Sequence, residues 1–292
     1  ATAVRHGDEL AERLGRRADE PLGRSLDAAG VHGMLRRVLD RFFAGVLLSD
    51  DEETSTHFAL LLTWMFLTGV PGLPADGMRA FPRQLATGLG DRIHLDTSVE
   101  AIAPGGDTVA VTTSTGTTRA RCVVVATDAV AAADLVGGPE PTTRGVVTQW
   151  WAADEEPTDV ALLHVDAGDQ PRGPLVNAAV MTAAQPTYAP AGRHLVQASA
   201  LLRGSEPGPD EAEMRAHAAH LLGTSAARWQ PLRRHDVRRA LPRQPAPLRL
   251  HRPLEVQTGV LVCGDHSETA SIQGALVSGH RAALAAASRL RG

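Results

Sequence analysis

The segment "GVLVCGDHSETASIQGALVSGHRAALAAASRL", residues 259 to 290, gathers residue types that could hold an electron-rich ligand. An apolar run stops at Gly264 and Asp265, and after a polar loop a long Ala-rich helix is predicted to open at Ser271, Ile272 and Gln273. The first turn of a helix has unpaired N–H groups and a partial positive charge, which suit a phosphate or a polarised carbonyl. A carboxylate at the end of the preceding strand, Asp265, accepts hydrogen bonds from hydroxyls such as those of a sugar or polyol. The same spacing also describes an ordinary strand, loop and helix, with Ser271 as N-cap and Asp265 solvated.

Other constellations carry less chemistry. His217 and His220 in "HAAH" stand one helical turn apart with no third ligand in view, so they read as surface histidines of an amphipathic helix, and no metal site is expected. No G-x-S-x-G elbow occurs, and Ser278 in "LVSGH" falls inside a predicted helix where its hydroxyl is poorly exposed. The basic run "RRHDVRRALPR", residues 233 to 243, reads as a solvated strand face, with anion binding as the alternative. The acidic cluster Asp50 to Glu53 precedes a helix and is expected to compensate its dipole. Trp150 and Trp151 are neighbours on a predicted strand and point to opposite faces, so one can pack in the core while the other lines an apolar substrate pocket. Core packing is the commoner role for both. His266 directly follows Asp265 and is a candidate polar contact or proton carrier. No residue declares itself a catalytic base.

Those residues must be positioned by a folded scaffold, and the composition describes one. The chain has 292 residues, 43% of them hydrophobic and 21% charged, which is the balance of a globular protein with a sizeable core. Its net charge of -4 argues against nucleic acid as a partner. There is no Lys, a pattern that GC-rich coding also produces, and its absence removes any Schiff-base or amine-base lysine from this sequence. The two cysteines, Cys122 and Cys263, sit in apolar strand-like runs without a metal-type or CxxC partner, as in a reducing, cytoplasmic compartment. The apolar stretch Phe58 to Val70 is too short for a membrane span and reads as a buried helix, with a membrane-facing or substrate-entrance helix as the alternative.

Along the chain, the opening "GDELAERLGRRADEPLGRSLDAAG" is amphipathic and helical, and with Ala1 rather than Met in front of it the sequence is expected to begin in mid-protein. Helical style continues to residue 70. Residues 97 to 130 alternate apolar and polar positions around turns at Gly105-Gly106 and Gly116, predicting an antiparallel meander and then a buried strand, Cys122 to Ala126. From Gly145 a second group of strands ("VVTQWWAA", "DVALLHV", "GPLVNAAVM", "HLVQASALL") surrounds one helix, Asp210 to Leu222, before the run that contains Cys263. Two stretches of one parallel-sheet domain separated by an antiparallel insert predict one domain interrupted by another.

Taken in order, "DGMRAFPRQLATGL", "IHLDTSVEAI", "ARCVVVATD" and "GVLVCGDHSETASIQGALVSGHRAA" resemble the flavoprotein superfamily of flavin-containing amine oxidases, protoporphyrinogen oxidases and phytoene desaturases, most closely its phytoene-desaturase-like members. The resemblance implies an α/β fold: part of a Rossmann-type FAD domain interrupted by a substrate domain of antiparallel sheet and helices. Residues 1–74 would form the helical part of the substrate domain and 75–144 the middle segment of the FAD domain. Residues 145–254 would be the rest of the substrate domain and 255–292 the C-terminal FAD segment. FAD is the implied cofactor. Val99 would touch the adenine through its main chain, Ala126 and Thr127 would lie near the dinucleotide, and Gly264 and Asp265 would meet the pyrophosphate and ribityl chain. His266 would reach the flavin edge, and Ser271, Ile272 and Gln273 would face the pyrimidine carbonyl. The family's opening strand and G-x-G-x-x-G are not found; "GVPGLPADGM" and "GLGD" have the wrong spacings. The chain is therefore expected to be part of a longer protein and to bind FAD poorly by itself. The implied activity is hydride transfer from a small organic molecule, an apolar polyene, with peripheral membrane association. An amine substrate and a non-catalytic flavin-fold binding protein are the alternatives.

Overall fold

The computed structural model describes residues 18–50, 52–139 and 141–291. In chain order its helices are α1 (Leu22–Ala28), α2 (Gly33–Leu47), α3 (Thr56–Thr68), α4 (Ala80–Ala86), α5 (Ala129–Val136), α6 (Met181–Ala184), α7 (Glu211–Leu222) and α8 (Ile272–Arg291). The strands are β1 (Val99–Gly105), β2 (Thr108–Thr113), β3 (Gly116–Ala120), β4 (Val123–Val125), β5 (Thr143–Ala153), β6 (Leu175–Val180), β7 (His194–Leu202), β8 (Gln230–Pro242), β9 (Glu255–Gln257) and β10 (Val260–Val262). The contacts group these into two compact units. One comprises Ala1–Gly88, Thr143–Leu241 and Pro245–Pro247; the other comprises Leu89–Thr142, Pro242–Gln244 and Leu248–Gly292. Residues 7 to 17 of the amphipathic opening expected from the sequence lie outside the described residues.

The first unit is built on a sheet of order β6-β7-β5-β8. β5 and β7 pair antiparallel from Gly145↔Leu202 to Ala153↔His194, so alternate residues of both strands share a face. One face carries Val147, Trp151, Val196, Ala198 and Ala200, and α7 covers it with Met214, Ala218 and Leu222. α7 has the bounds expected from the sequence to within one residue, and the structure shows why: Asp210 and Glu213 form a reciprocal capping box, and Gly223 closes the helix at φ +64°. α2 packs close to β6 at Gly45, where a Cβ would stand 2.4 Å from Asn177 Nδ2.

Three sequence expectations are corrected here. His217 is not a surface residue: it is 2% exposed and belongs to the buried side of α7. "DVALLHV" forms no strand, and its one ladder contact is an isolated bridge between His164 and Ala178. The acidic cluster does not serve the next helix, since α3 is capped by the Ser55 hydroxyl, which accepts from Phe58 N–H at 3.1 Å. Instead Asp50 pairs with Arg203, and Glu52 pairs with Arg36 at 2.8 Å; Asp51 lies outside the described residues. α3 buries Phe58, Ala59 and Leu62 but exposes Leu60, Met65, Phe66 and Leu67. No helix among the described residues is long and apolar enough to cross a membrane.

The second unit holds the antiparallel meander β1-β2-β3 and a sheet of order β4-β10-β9. β4 and β10 are parallel, with Val123↔Val260 and Val125↔Val262 in register. Val109, Val125, Ala132, Val260 and Val262 form its core. Parallel neighbours run their carboxyl ends out on the same side, and both of these strands lead towards a helix: β4 to α5, β10 to α8. In open α/β sheets ligands bind outside such carboxyl ends, which makes these two turns the candidate region.

Candidate functional site

At the end of β10 the backbone passes through Gly264 at φ +155°, a conformation that L side chains avoid. The space a Cβ would take is filled by the His266 ring, whose Cε1 would be 2.5 Å away. The Gly264 N–H donates to the Ser278 hydroxyl at 2.9 Å. Ser278 is fully buried within α8, so this serine pins the start of the loop and is no nucleophile.

The far end of the loop is fixed as tightly. The Ser271 hydroxyl accepts from Gly274 N–H at 2.9 Å, the N-cap expected from the sequence. The Ser271 carbonyl accepts from Ala275 N–H at 3.0 Å, the first regular helical bond of α8. Gly274 is forced by close approach: a Cβ there would lie 1.9 Å from the Thr269 carbonyl oxygen. Between the cap and the first helical bond, the N–H groups of Ile272 and Gln273 find no partner among the described residues, and both residues are exposed. A twenty-residue helix thus opens with two free donors at its positive end.

Asp265 and His266 stand at the loop's start. Asp265 Oδ1 is 3.8 Å from His266 Nδ1, too far for a hydrogen bond. Both ring nitrogens of His266 are buried and lack a partner among the described residues. A buried imidazole with neither nitrogen satisfied is costly, and a ligand with polar atoms relieves that cost.

The neighbouring turn contributes less. Ala126 and Thr127 follow β4 and are exposed, and Cys263 N–H donates to the Val125 carbonyl at 2.9 Å, so this turn and Gly264 share one end of the parallel pair. Val99 begins β1 on the other sheet, opposite Thr113, and is 40% exposed. The structure therefore brings together Ala126, Thr127, Gly264, Asp265 and His266 at the strand ends, with Ser271, Ile272 and Gln273 at the helix mouth, and sets Val99 on a separate sheet.

In the other unit, Trp151 is fully buried, its Nε1–H donates to Glu211 at 2.6 Å, and its ring lies 5.7 Å from that of Trp229. Trp150, on the opposite face, donates to His235 Nδ1 at 3.1 Å. His217 and Asp166 form a buried, mutually perturbed pair. The His217 Nδ1 accepts from Leu175 N–H at 3.1 Å, so its proton resides on Nε2 and points to Asp166, 3.0 Å away. Burial alone would raise the Asp166 carboxyl, yet N–H donors from Arg172 and Gly168 and the His217 ring together hold it down to about 2. Burial lowers the His217 pKa and outweighs the opposing pull of Asp166. With both ring nitrogens engaged inside the protein, this pair clasps the loop that leads to β6 and is not poised for catalysis.

Sequence reasoning missed Glu268 and its partners. Glu268 is 3% exposed, its carboxylate accepts from Arg281 and from the His251 main-chain N–H at 3.3 Å, and it stands 3.0 Å from His251 Nδ1. In the sequence it looks like one more polar residue of a solvated loop; only its distance partners mark it.

Residues 8–287 match the family model described as flavin containing amine oxidoreductase. The chain belongs to this family. It is a flavin-dependent oxidoreductase, and its α/β class with an antiparallel insert is the one anticipated from the sequence. Solved structures agree in fold. The flavin oxidoreductase is similar to an oxidoreductase from Methanosarcina mazei at 15% identity and TM-score 0.71, covering 93% of this chain and 69% of that one. Against cyclohexylamine oxidase from Brevibacterium oxydans the identity is 17% and the TM-score 0.65, with 94% and 68% covered. Against putrescine oxidase bound to putrescine the identity is 14% and the TM-score 0.60, with 87% and 64% covered. No curated protein matches the chain by sequence.

Proposed function

We propose that the flavin is FAD and that the turn from β10 into α8 holds its polar middle and its pyrimidine edge. The observation that carries this reading is the pair of free N–H donors at Ile272 and Gln273, opened by a neutral cap and fixed in place by Gly274. The residues present fit the group. Gly264 and Gly274 bring backbone where a side chain would obstruct it, Asp265 offers a carboxylate to ribityl hydroxyls, and His266 has two buried nitrogens in need of polar neighbours. Ala126 and Thr127, at the same strand ends, face the dinucleotide, and Val99 meets the adenine.

When bound, the flavin supplies a hydride acceptor at its N5. The protein's part is to orient the ring, exclude water, and stabilise negative charge at the pyrimidine carbonyl through the helix mouth. The substrate is a small organic hydride donor. An apolar polyene, met at the periphery of a membrane, is favoured by the apolar side chains that α3 leaves exposed, Leu60, Met65, Phe66 and Leu67. An amine is the second reading, favoured by the family match itself.

The test is to purify the full-length protein, identify the released flavin, and follow its anaerobic bleaching with a detergent-solubilised polyene and with an alkylamine. FAD and bleaching by the polyene are expected, together with flotation on phospholipid vesicles. Bleaching by the amine alone makes the second reading the correct one. A protein that takes up no flavin overturns both and leaves a flavin-fold binding protein.

A further inference from the structure

We propose that Glu268 is the positioning residue of the cofactor turn, fixing the spacing between the Asp265 carboxylate and the donors at Ile272 and Gln273; this rests on the FAD reading above. Its carboxylate has a side-chain exposure of 4%, so it must be paired where it stands. Two segments converge on it. Arg281 reaches it from α8, and from the Pro-rich segment, residues 242–253, His251 approaches it through both its ring and its main chain while Gln244 Nε2 donates to the Glu268 carbonyl at 3.3 Å. The same Pro-rich segment holds the loop again at its neighbour, where Arg252 N–H donates to the Ser267 carbonyl at 3.2 Å.

The pins are arranged in sequence. Ser278 holds Gly264, Arg281 holds Glu268, and the Ser271 cap holds Gly274. Ser278 and Arg281 are three residues apart and so lie on one side of α8, the side that also buries Gly274 and Ala282. Asp265 and His266 fall between the first pin and the second, and the free donors lie inside the third, between Ser271 and Gly274. Without Glu268 the loop would still be tied at both ends, but the distance from the carboxylate to the helix mouth would no longer be set. Positions of donors within a fraction of an ångström decide how well a charge-bearing ring is stabilised.

Glu268→Gln keeps size and removes charge, so it tests position more than bulk. In the full-length protein it is expected to weaken FAD about ten- to a hundredfold, the scale for losing a charged outer partner of a binding group. It should also change the visible circular dichroism of the bound flavin and speed amide exchange at Ser267 and Arg252, whose N–H groups donate within the part of the loop that Glu268 holds. His251→Ala, whose ring is largely exposed, should do the same more weakly. The exchanged pair Glu268→Arg with Arg281→Glu should recover part of the affinity. Faster exchange with unchanged FAD affinity and dichroism would show Glu268 to be structural only and would sink the proposal while the FAD reading stands. Unchanged exchange in Glu268→Gln overturns it equally. Wild-type protein that binds no FAD overturns the FAD reading and this proposal with it.

Discussion

The two strand-to-helix turns at the ends of β4 and β10 start from nearly the same geometry and end with opposite chemistry. In the first, Asp128 turns its own carboxylate onto the helix mouth and accepts from Val130 and Ala131 N–H at 3.0 and 3.1 Å. That mouth is already neutralised. In the second, the neutral Ser271 takes only Gly274 N–H, and the positive end of a much longer helix keeps two donors. An aspartate cap stabilises both the donors and the dipole, whereas a serine cap leaves the dipole's positive end uncompensated. Leaving a mouth open forgoes that stabilisation, which is what the proposed flavin site requires.

The largest effect should come from Gly274→Ala, which places a methyl against the Thr269 carbonyl. It is expected to abolish flavin binding and to destabilise the unit by about 3 kcal/mol, measured by urea unfolding followed by circular dichroism. If the variant binds flavin normally, the mouth does not depend on this close approach.

An acid titration separates the turns from the rest of the molecule. Asp166 has its pKa lowered from 3.8 to about 2, so its stabilisation is full above 3.8 and is lost as pH falls towards 2. It amounts to about 2 kcal/mol. His217, also lowered from 6.5, favours the neutral ring when folded, so its contribution is present above 6.5 and declines as pH falls below that value. Both act in the unit that contains Trp64, Trp150, Trp151 and Trp229, all four tryptophans of the chain. Tryptophan fluorescence should therefore report loosening from about pH 6 downward. His217→Asn should remove the early part of that transition; an unaltered acid profile in this variant would rule out the assignment.

Converting one turn into the other is the direct test of the comparison. Ser271→Asp should fill the open mouth as Asp128 fills its own, lowering flavin affinity about tenfold while leaving the fold at least as stable. Flavin titration alongside thermal unfolding reads both quantities, and an affinity that rises would mean the mouth does not face electron-rich atoms. The reverse change, Asp128→Ala, should cost about 1 kcal/mol of stability and little affinity. A large loss of flavin there would show that the first turn takes part in binding through more than Ala126 and Thr127.

Much of this was legible because its causes are local. The helix Asp210 to Leu222, the Ser271 cap and the apolar runs of β4 and β10 each follow from residues within a few turns or one strand. Trp150 and Trp151 were bound to take opposite faces by strand alternation alone. The stretch "DVALLHV" failed because a strand-like pattern needs a partner along its length, and only His164 found one. "HAAH" failed for the opposite reason: a helical period cannot say which face is covered, and the core closed over His217 by way of Asp166, fifty-one residues away in sequence.

The sequence by itself determined the elements, their caps and the presence of a helix mouth behind a strand-end carboxylate, since dihedral preferences and side-chain periodicity act over a few residues. The tertiary structure decided which polar groups are spent inside the protein and which remain free. Glu268 and Ser278 carry no local mark of their roles, because a buried hydrogen bond depends on where Arg281, His251 and Gly264 arrive after folding. Desolvation is a property of that assembled surrounding, and so the value of a carboxylate or an N–H group as a binding element is fixed only when the chain has folded around it.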